Sequence, residues 1–482
     1  MTLPGRLRFE EPRPARRSAM SMPAATHELI GELRTSLRGH VIDRQHPEYD
    51  EARSVWNGLI DRRPAVVARC ADAQDVVSAV RIARRHRPPL TVRGGGHQVA
   101  GSAVVDDGMV IDLSAMRGVE VDPAKRIARA DGGATWGDVD RATQRFGLAT
   151  TGGEVSTTGI GGFTLGGGMG LLMRAHGLAC DNLRSVEVVT ADGEVRTASP
   201  NEHADLFWAA RGGGRGIGVV TSFEFDLHPL GPDVAAATVF YPYEDARRIL
   251  QAWRDYAPTA PESVTPQVIL WSVPPDPTIP EELHGAKTVV CLGLYAGPAG
   301  EADAVLAPLR DFGRPLFDAS GTMPYLDLQS SVDELLPAGG RYFMKSHGFD
   351  ELGDRAIDTL LAWDASRPSP QTLTAIRTLG GAIERVADTE SAFPHRSDRF
   401  NVSIDTVWSR PADDAKVIGW ARGAWDALAR DASGGVYVNF AGLEDEAGAS
   451  ADRVFRLSRN RLAEVRAAYD PAGLFELAAR RP

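Results

Sequence analysis

The sequence predicts an α+β protein with a glycine-rich first domain and a second domain built on a sheet covered by helices. Three observations carry this. The chain has 482 residues, more than one hydrophobic core usually serves. Of its 50 glycines, 26 lie between Gly94 and Gly218, so close backbone approach is concentrated in the first half. Beyond about residue 230 glycines thin out, and strand-like segments alternate with amphipathic helices.

The elements follow in chain order. Residues 1–26 combine Arg13, Arg16 and Arg17 with prolines and contain no apolar run. They read as a flexible extension, not a secretory signal. Residues 64–70 read as a strand. Residues 72–86 carry Val76, Val77, Val80 and Ile82 at helical spacing and end in arginines, which predicts an amphipathic helix. Short strands are expected at 109–113, 127–131 and 186–190, and a longer one at 218–227. The first domain spans 27–230. In the second, 231–433, strands are expected at 237–241, 268–273, 288–295 and 400–408, with helices at 244–256, 354–365 and 413–429. The C-terminal segment, 434–482, holds VYVNF at 436–440 and a helix from about 451 to 468.

Composition narrows the function classes. The charged content of 24% and hydrophobic content of 43% are those of a globular protein. A net charge of −11 argues against nucleic-acid or anionic-membrane partners, which need a basic face. No apolar stretch is long enough to span a bilayer. Cys70, Cys180 and Cys291 are far apart and odd in number. They point away from a disulfide framework or a metal site and towards a reducing, cytoplasmic setting.

The chemistry is concentrated in LTVRGGGHQVAG at 90–101 and GIGGFTLGGGMG at 159–170. Residues 90–92 read as a buried strand running into a tight turn, Arg93, Gly94, Gly95, Gly96, whose N–H groups no side chain covers. Such a nest suits a diphosphate. His97 closes the turn with an imidazole. No G-x-G-x-x-G fingerprint and no G-x-x-x-x-G-K-[ST] loop occurs in the chain, so a dinucleotide would be held in another way.

Taken together, several blocks in order resemble the FAD-linked oxidases of the berberine bridge enzyme-like group. That group belongs to the vanillyl-alcohol-oxidase, or PCMH-type, flavoprotein superfamily. The blocks are WNGLIDRRPAVVARC (56–70), VRGGGHQVAG (92–101), GGATWGDVDRAT (132–143), TTGGEVSTTGIGGFTLGGGMG (150–170), HGLACDNLRSVEVVTADG (176–193), RGGGRGIGVVTSFEF (211–225) and YVNF (437–440). In the middle region MPYLDLQ (323–329), GGRYFMKS (339–346), LGGAIERV (379–386) and AFPHR (392–396) are similar to the bacterial hydroxynicotine-oxidase-like branch. The resemblance implies a two-subdomain PCMH-type FAD-binding domain, a substrate domain with a large antiparallel sheet covered by helices, and a C-terminal segment returning to the FAD domain.

It also implies residue roles. Arg93, Gly94, Gly95 and Gly96 would wrap the FAD pyrophosphate, with Gln98 and Gly101 in the same block. His97 matches the histidine attached to the flavin 8α-methyl. There a neutral imidazole nitrogen adds to an electrophilic methide on the ring, which raises the flavin potential and prevents loss of the cofactor. Thr151, Gly152 and Gly153 would lead the chain past the ring. Ser156, Thr157, Thr158, Gly159, Gly161 and Gly162 would supply N–H and hydroxyl contacts, and Gly166 and Gly168 would pack against the adenylate side. Asp181, Gly218, Val219 and Val220 sit where the family frames the nucleotide. No metal is implied.

Three departures matter. Val155 stands where many members place a second flavin-linking cysteine, so attachment through His97 alone is expected. Arg215 and Gly216 replace a Gly-Asn pair, and Arg215 either pairs a phosphate or faces solvent. In the tail block YDPAGLFELAARRP, Gly473, Glu476, Ala478 and Ala479 replace polar or basic residues of the family pattern.

The implied activity is hydride transfer from a small, hydrophobic or aromatic organic substrate to FAD, with O2 as acceptor. Tyr437 and Asn439 match the family's Y-x-N pair beside the flavin. As a base, Tyr437 would need a lowered pKa and a nearby cation; Lys345, Arg341, His395 and Arg396 are candidate suppliers. His395 is also a catalytic candidate, although Arg396 beside it equally suits an ion-pairing surface loop. Trp271, Tyr325, Tyr342, Phe343 and Met344 are candidates for an apolar substrate pocket. Two alternatives remain open: a redox-neutral cyclase or isomerase on the same FAD scaffold, and a non-catalytic flavin-binding protein.

Overall fold

The computed structural model describes residues 24–214, 216–441 and 454–475. Arg215, Glu476, Ala478, Ala479 and the expected start of the tail helix at 451 lie outside the described residues. A helix begins at Ala24 and runs to Ser36, inside the stretch expected to be a flexible extension. Its Leu29, Ile30 and Leu33 are buried in the first core, which is what orders it.

The first region, up to about residue 230, holds three small sheets, one of them only the pair Leu148–Ala149 and His228–Pro229. In the first, Val66–Arg69, Met109–Asp112 and Leu90–Arg93 pair in parallel, and His40–Asp43 adds antiparallel to Val66–Arg69. The helix Ala73–His86 crosses between parallel strands. Asp72 caps it by accepting from the N–H groups of Gln74 and Asp75, and Arg87 ends it in the left-handed region at φ 52°. Its Val76, Val80 and Ala83 pack on Val66, Ala68 and Ile111. The loop after Leu90–Arg93 therefore leaves the carboxyl end of a parallel strand, where open α/β sheets bind ligands.

The second sheet is antiparallel, in the order Val119–Asp122, Ile127–Asp131, Val219–Asp226, Leu183–Val189, Val195–Ala198. Helix Trp136–Gln144 lies beside it, opened by a reciprocal capping box between Thr135 and Asp138.

The large sheet of the second region has eight strands, all paired antiparallel. The expected strands appear as Asp233–Pro242, Val264–Ser272, Lys287–Tyr295 and Phe400–Trp408. Arg341–Phe349, Leu373–Thr378 and the short edge strands Phe317–Asp318 and Gly321–Pro324 complete the sheet; no strand was expected at any of them. One face packs Val268, Leu270, Ile376, Val402 and Ile404 against helices Ala246–Tyr256, Asp354–Asp364 and Asp414–Leu428. The other face carries Gln267, Arg377, Asn401, Ser403 and Asp405 in register. VYVNF forms a 3-10 turn at Val438–Phe440. The tail helix is Arg459–Tyr469, shorter than expected.

Arg174 joins the two domains. It is buried at 3% exposure and donates to the carbonyls of Val264 (2.9 Å), Leu379 (2.6 Å) and Ala260 (2.8 Å). Arg174→Met would leave three carbonyls without their donor. Urea unfolding should report a loss of about 3 kcal/mol or more; a loss under about 0.5 kcal/mol would show that the seam does not depend on it.

Candidate active site

The two glycine clusters meet backbone to backbone. A Cβ on Gly95 would stand 2.3 Å from the nitrogen of Gly159, and a Cβ on Gly159 would stand 2.3 Å from the nitrogen of Gly95. Only glycine allows this approach. The loop 156–160 is fixed from below: Trp136 N–H donates to Thr158 O, Gly137 N–H to Ser156 O, and Ile160 N–H to Ala134 O.

The N–H groups of residues 94–97 donate to no protein acceptor among the described residues. Beside Gly94 there is room: a Cβ there meets only Gly132 O within 4 Å, at 3.2 Å, and a Cβ on Gly162 meets nothing. Four consecutive orphan donors beside an open glycine face form a concave anion site. The residues present therefore fit the diphosphate of a dinucleotide.

His97 stands at the edge of this nest. Its Nε2 lies 2.9 Å from Thr157 Oγ1 and its Nδ1 lies 3.4 Å from Thr158 Oγ1. Its ring stacks on Trp56 with centroids 5.1 Å apart, and Trp56 stacks on Tyr342 at 3.7 Å. Burial holds the imidazole pKa down, at about 4, against the opposing charge of Asp333. At neutral pH His97 is uncharged, as a nitrogen nucleophile must be.

The other expected residues fall into distinct places. Ser156 gives its N–H and hydroxyl to the Asp333 carboxylate. Thr151 donates to Gly177 O. Gly152 and Gly153 lie against the rings of Trp136 and Phe163. Gly161 approaches Gly132 O at 3.3 Å, and Gly101 turns at φ +70° beside Ile60. Gln98 holds the N–H of Ala100 and reaches Val438 O at 3.4 Å. Gly166 makes room for Asn439, and Gly168 for Ala179 and Phe163. Gly218, at φ +133°, abuts Val189 O, while Val219 and Val220 are sheet residues buried in the cores. The Asp181 carboxylate is occupied by Arg396 (2.6 and 3.0 Å), Arg211 (3.3 Å) and the N–H of Leu178, so it frames the site without a free oxygen edge.

Tyr437 and Asn439 come together. Tyr437 Oη accepts from the N–H groups of Gly168 (3.1 Å) and Met169 (2.9 Å) and from Asn439 Nδ2 (2.9 Å). The lowered pKa expected of a base is not what its surroundings give. Burial outweighs the three donors and pushes the phenol up to about 12. The expected cations are engaged elsewhere: Arg341 with Asp414, Arg396 with Asp181, and Lys345 over the Trp425 ring at 4.1 Å. His395 is 4% exposed, and its Nε2 lies 3.0 Å from the Val454 carbonyl. It is thus a buried structural contact and not part of an open surface loop. The apolar pocket residues also separate. Phe343 lies in the helix-covered core, Tyr325 in a seam cluster, and Tyr342 and Met344 with Trp56.

Several residues of the site were not anticipated. Trp56 touches the His97 loop, and Asp333 holds Ser156 in the facing loop. Asp140 and Gln329 lie behind Gly153, with Gln329 Nε2 3.3 Å from Asp140 Oδ2 and 3.4 Å from Gly153 O. Asp405 alternates with Ser403 and Asn401 along one strand face, a period-2 polar pattern that was readable in FNVSIDTVW.

With this geometry in view, the comparisons place the chain in a class. Residues 64–199 match the FAD binding domain model. The FAD-linked oxidoreductase YgaK of Bacillus subtilis is 31% identical over 92% of this chain and 96% of its own length. The chain belongs to the FAD-linked oxidoreductases, of the PCMH type. More particularly, it is similar to the crystal structure of 6-hydroxy-D-nicotine oxidase from Arthrobacter nicotinovorans, at 28% identity and TM-score 0.80 over 92% of this chain and 97% of that one. Physcomitrella patens BBE-like 1 shares the fold, with TM-score 0.84 at 20% identity over 94% and 99% of the two chains.

Asp140 offers a test of the seam behind Gly153. It is fully buried, and burial raises its carboxyl to about 7, with Gln329 and Arg141 opposing. The unfolded chain ionises near its ordinary value of about 4, so between the two values the folded state holds a proton that the unfolded chain has lost. Stability should fall as pH rises from about 4 to about 7 and level off above. Asp140→Asn removes this cost and should stabilise by about 2–4 kcal/mol at about pH 8 with little change near pH 4. Equal shifts in thermal midpoint at both pH values would show that Asp140 is not the group concerned.

Proposed function

We propose that this chain oxidises a small organic substrate, a natural-product intermediate, amine or alcohol, using FAD attached through His97 alone. The observation that carries the reading is the row of uncommitted N–H groups at 94–97 beside a neutral, stacked imidazole. Val155 at the position of a second linking cysteine supports single attachment. The net charge of −11 and three widely spaced cysteines support a cytoplasmic setting.

When bound, FAD supplies the redox chemistry, taking a hydride from carbon and passing the electrons to O2. The chain's part is binding and orientation. The nest at 94–97 holds the diphosphate. Thr157, Thr158 and Trp56 fix the imidazole plane. Tyr437, a neutral phenol at physiological pH, is locked by Gly168, Met169 and Asn439 so that its hydroxyl orients the substrate. The relative in the solved structure is named an oxidase of 6-hydroxy-D-nicotine, which fits a small ring-bearing substrate. The departures in the tail leave its described part docked. Asp470 accepts from the N–H groups of Leu474 (2.7 Å) and Phe475 (2.8 Å), and Leu474 sits in the first core.

Two outcomes test the proposal. His97→Ala should retain flavin that acid then releases into the supernatant; flavin that stays with the precipitated variant would remove His97 from the role. Tyr437→Phe should keep its flavin content and slow anaerobic bleaching by substrate by about 10- to 100-fold. An unchanged bleaching rate would make Tyr437 a packing residue only.

A further inference from the structure

The face of the large sheet opposite its helices carries a polar patch, Gln267, Arg377, Asn401, Ser403 and Asp405, beside the apolar Tyr342 and Met344. Gln267, on the central strand Val264–Ser272, donates to Glu154 Oε1 at 2.9 Å. Glu154 adjoins Val155 in the loop that leads past the ring, so this sheet face looks onto the flavin loop. Arg377 is in register with Gln267 on the neighbouring strand and therefore shares that face. From the C-terminal segment, Phe440 places its ring 4.9 Å beneath the Arg377 guanidinium. Phe440 follows directly on Asn439, so Arg377 borders the Tyr437–Asn439 pair.

The guanidinium is under-used. It is half-buried, and one N–H donates to Ser403 Oγ at 2.9 Å. Among the described residues no carboxylate pairs with it, and its remaining N–H groups meet no protein acceptor. Its unbonded nitrogens are not buried and so stay open to a ligand, and the planar fork matches a two-oxygen acceptor. Stacking on Phe440 holds the fork flat beside an aromatic surface.

Two carboxyl groups could compete for it. Glu154 is engaged by Gln267. Asp405 accepts from Ser403 Oγ at 2.9 Å, and burial raises its carboxyl to about 6 although Arg377 opposes the shift. Neither forms an ion pair with Arg377. The competition is thus weak, and the open fork is left for a ligand.

We infer that Arg377, with Phe440 as its platform, anchors an oxyanion of the substrate, a carboxylate or a phenolate attached to an aromatic ring. This rests on the flavin reading above, since it makes Arg377 part of the substrate side of that site. It adds a charge requirement to the substrate, which becomes an aromatic compound bearing an acidic oxygen and not a neutral hydrocarbon or a purely basic amine.

The test is calorimetric titration of the purified, flavin-bearing full chain at about pH 8 with benzoate, 4-nitrophenolate, benzylamine and benzyl alcohol. Benzoate or 4-nitrophenolate should bind about tenfold or more tightly than benzylamine and benzyl alcohol, the order that a charge-assisted pair contributes. The preferred of the two anions identifies the source of the oxyanion. Arg377→Met should weaken that anion by about tenfold or more while flavin content stays unchanged. Glu154→Gln, which removes a nearby negative charge, should instead tighten it. Tighter binding of benzylamine, or anion affinity unchanged in both variants, would overturn the anchor while leaving the flavin reading intact. A chain that carries no flavin would overturn that reading and the anchor with it.

Discussion

The contact between Gly95 and Gly159 is the constraint on which the rest of the site depends. Two loops from different parts of the first region approach so closely that a single methyl on either would strike the other's backbone. That approach keeps the turn 94–97 tight, and its N–H groups find no acceptor among the described residues. Orphan donors of this kind are costly unless something outside the fold satisfies them. A dinucleotide diphosphate at this turn, as proposed, would complete the set.

The same contact couples the cofactor side to the substrate side. Loop 156–160 is held from below by the capping segment of Trp136–Gln144 and from across the seam by Asp333, which takes both the N–H and the hydroxyl of Ser156. His97 continues into a stack through Trp56 to Tyr342 on the large sheet. Arg174 and the Asp181–Arg396 pair bind the domains further out. The imidazole is therefore positioned by both domains at once, and its neutrality follows from the same enclosure that orients it.

Much of the fold was legible in the sequence because its signals are local. The helix Ala73–His86 shows its cap at Asp72 and its apolar spacing directly, and the strands with continuous apolar runs were found close to their true positions. The two glycine clusters pointed to the nest before any coordinates. What was not legible depends on pairing across long sequence distances. Arg341–Phe349 and Leu373–Thr378 carry Lys345, His347 and Arg377, which mask a strand pattern until partner strands and aromatic rings take up their polar groups. The Y-x-N motif singled out Tyr437, but the burial that raises its pKa is a tertiary property that no motif displays. The aromatic residues proposed for a pocket were assigned by type; only the register of the sheet shows that Trp271, Tyr342 and Met344 share the face of Gln267 and Asp405 while Phe343 turns to the helices.

The central claim is that this nest and His97 hold one FAD covalently. Intact-mass spectrometry of the denatured, purified chain tests it most directly, because denaturation removes anything held by the fold alone. The account predicts the chain mass plus one FAD. A denatured chain at its bare mass, from a preparation that was yellow before denaturation, would contradict attachment through His97.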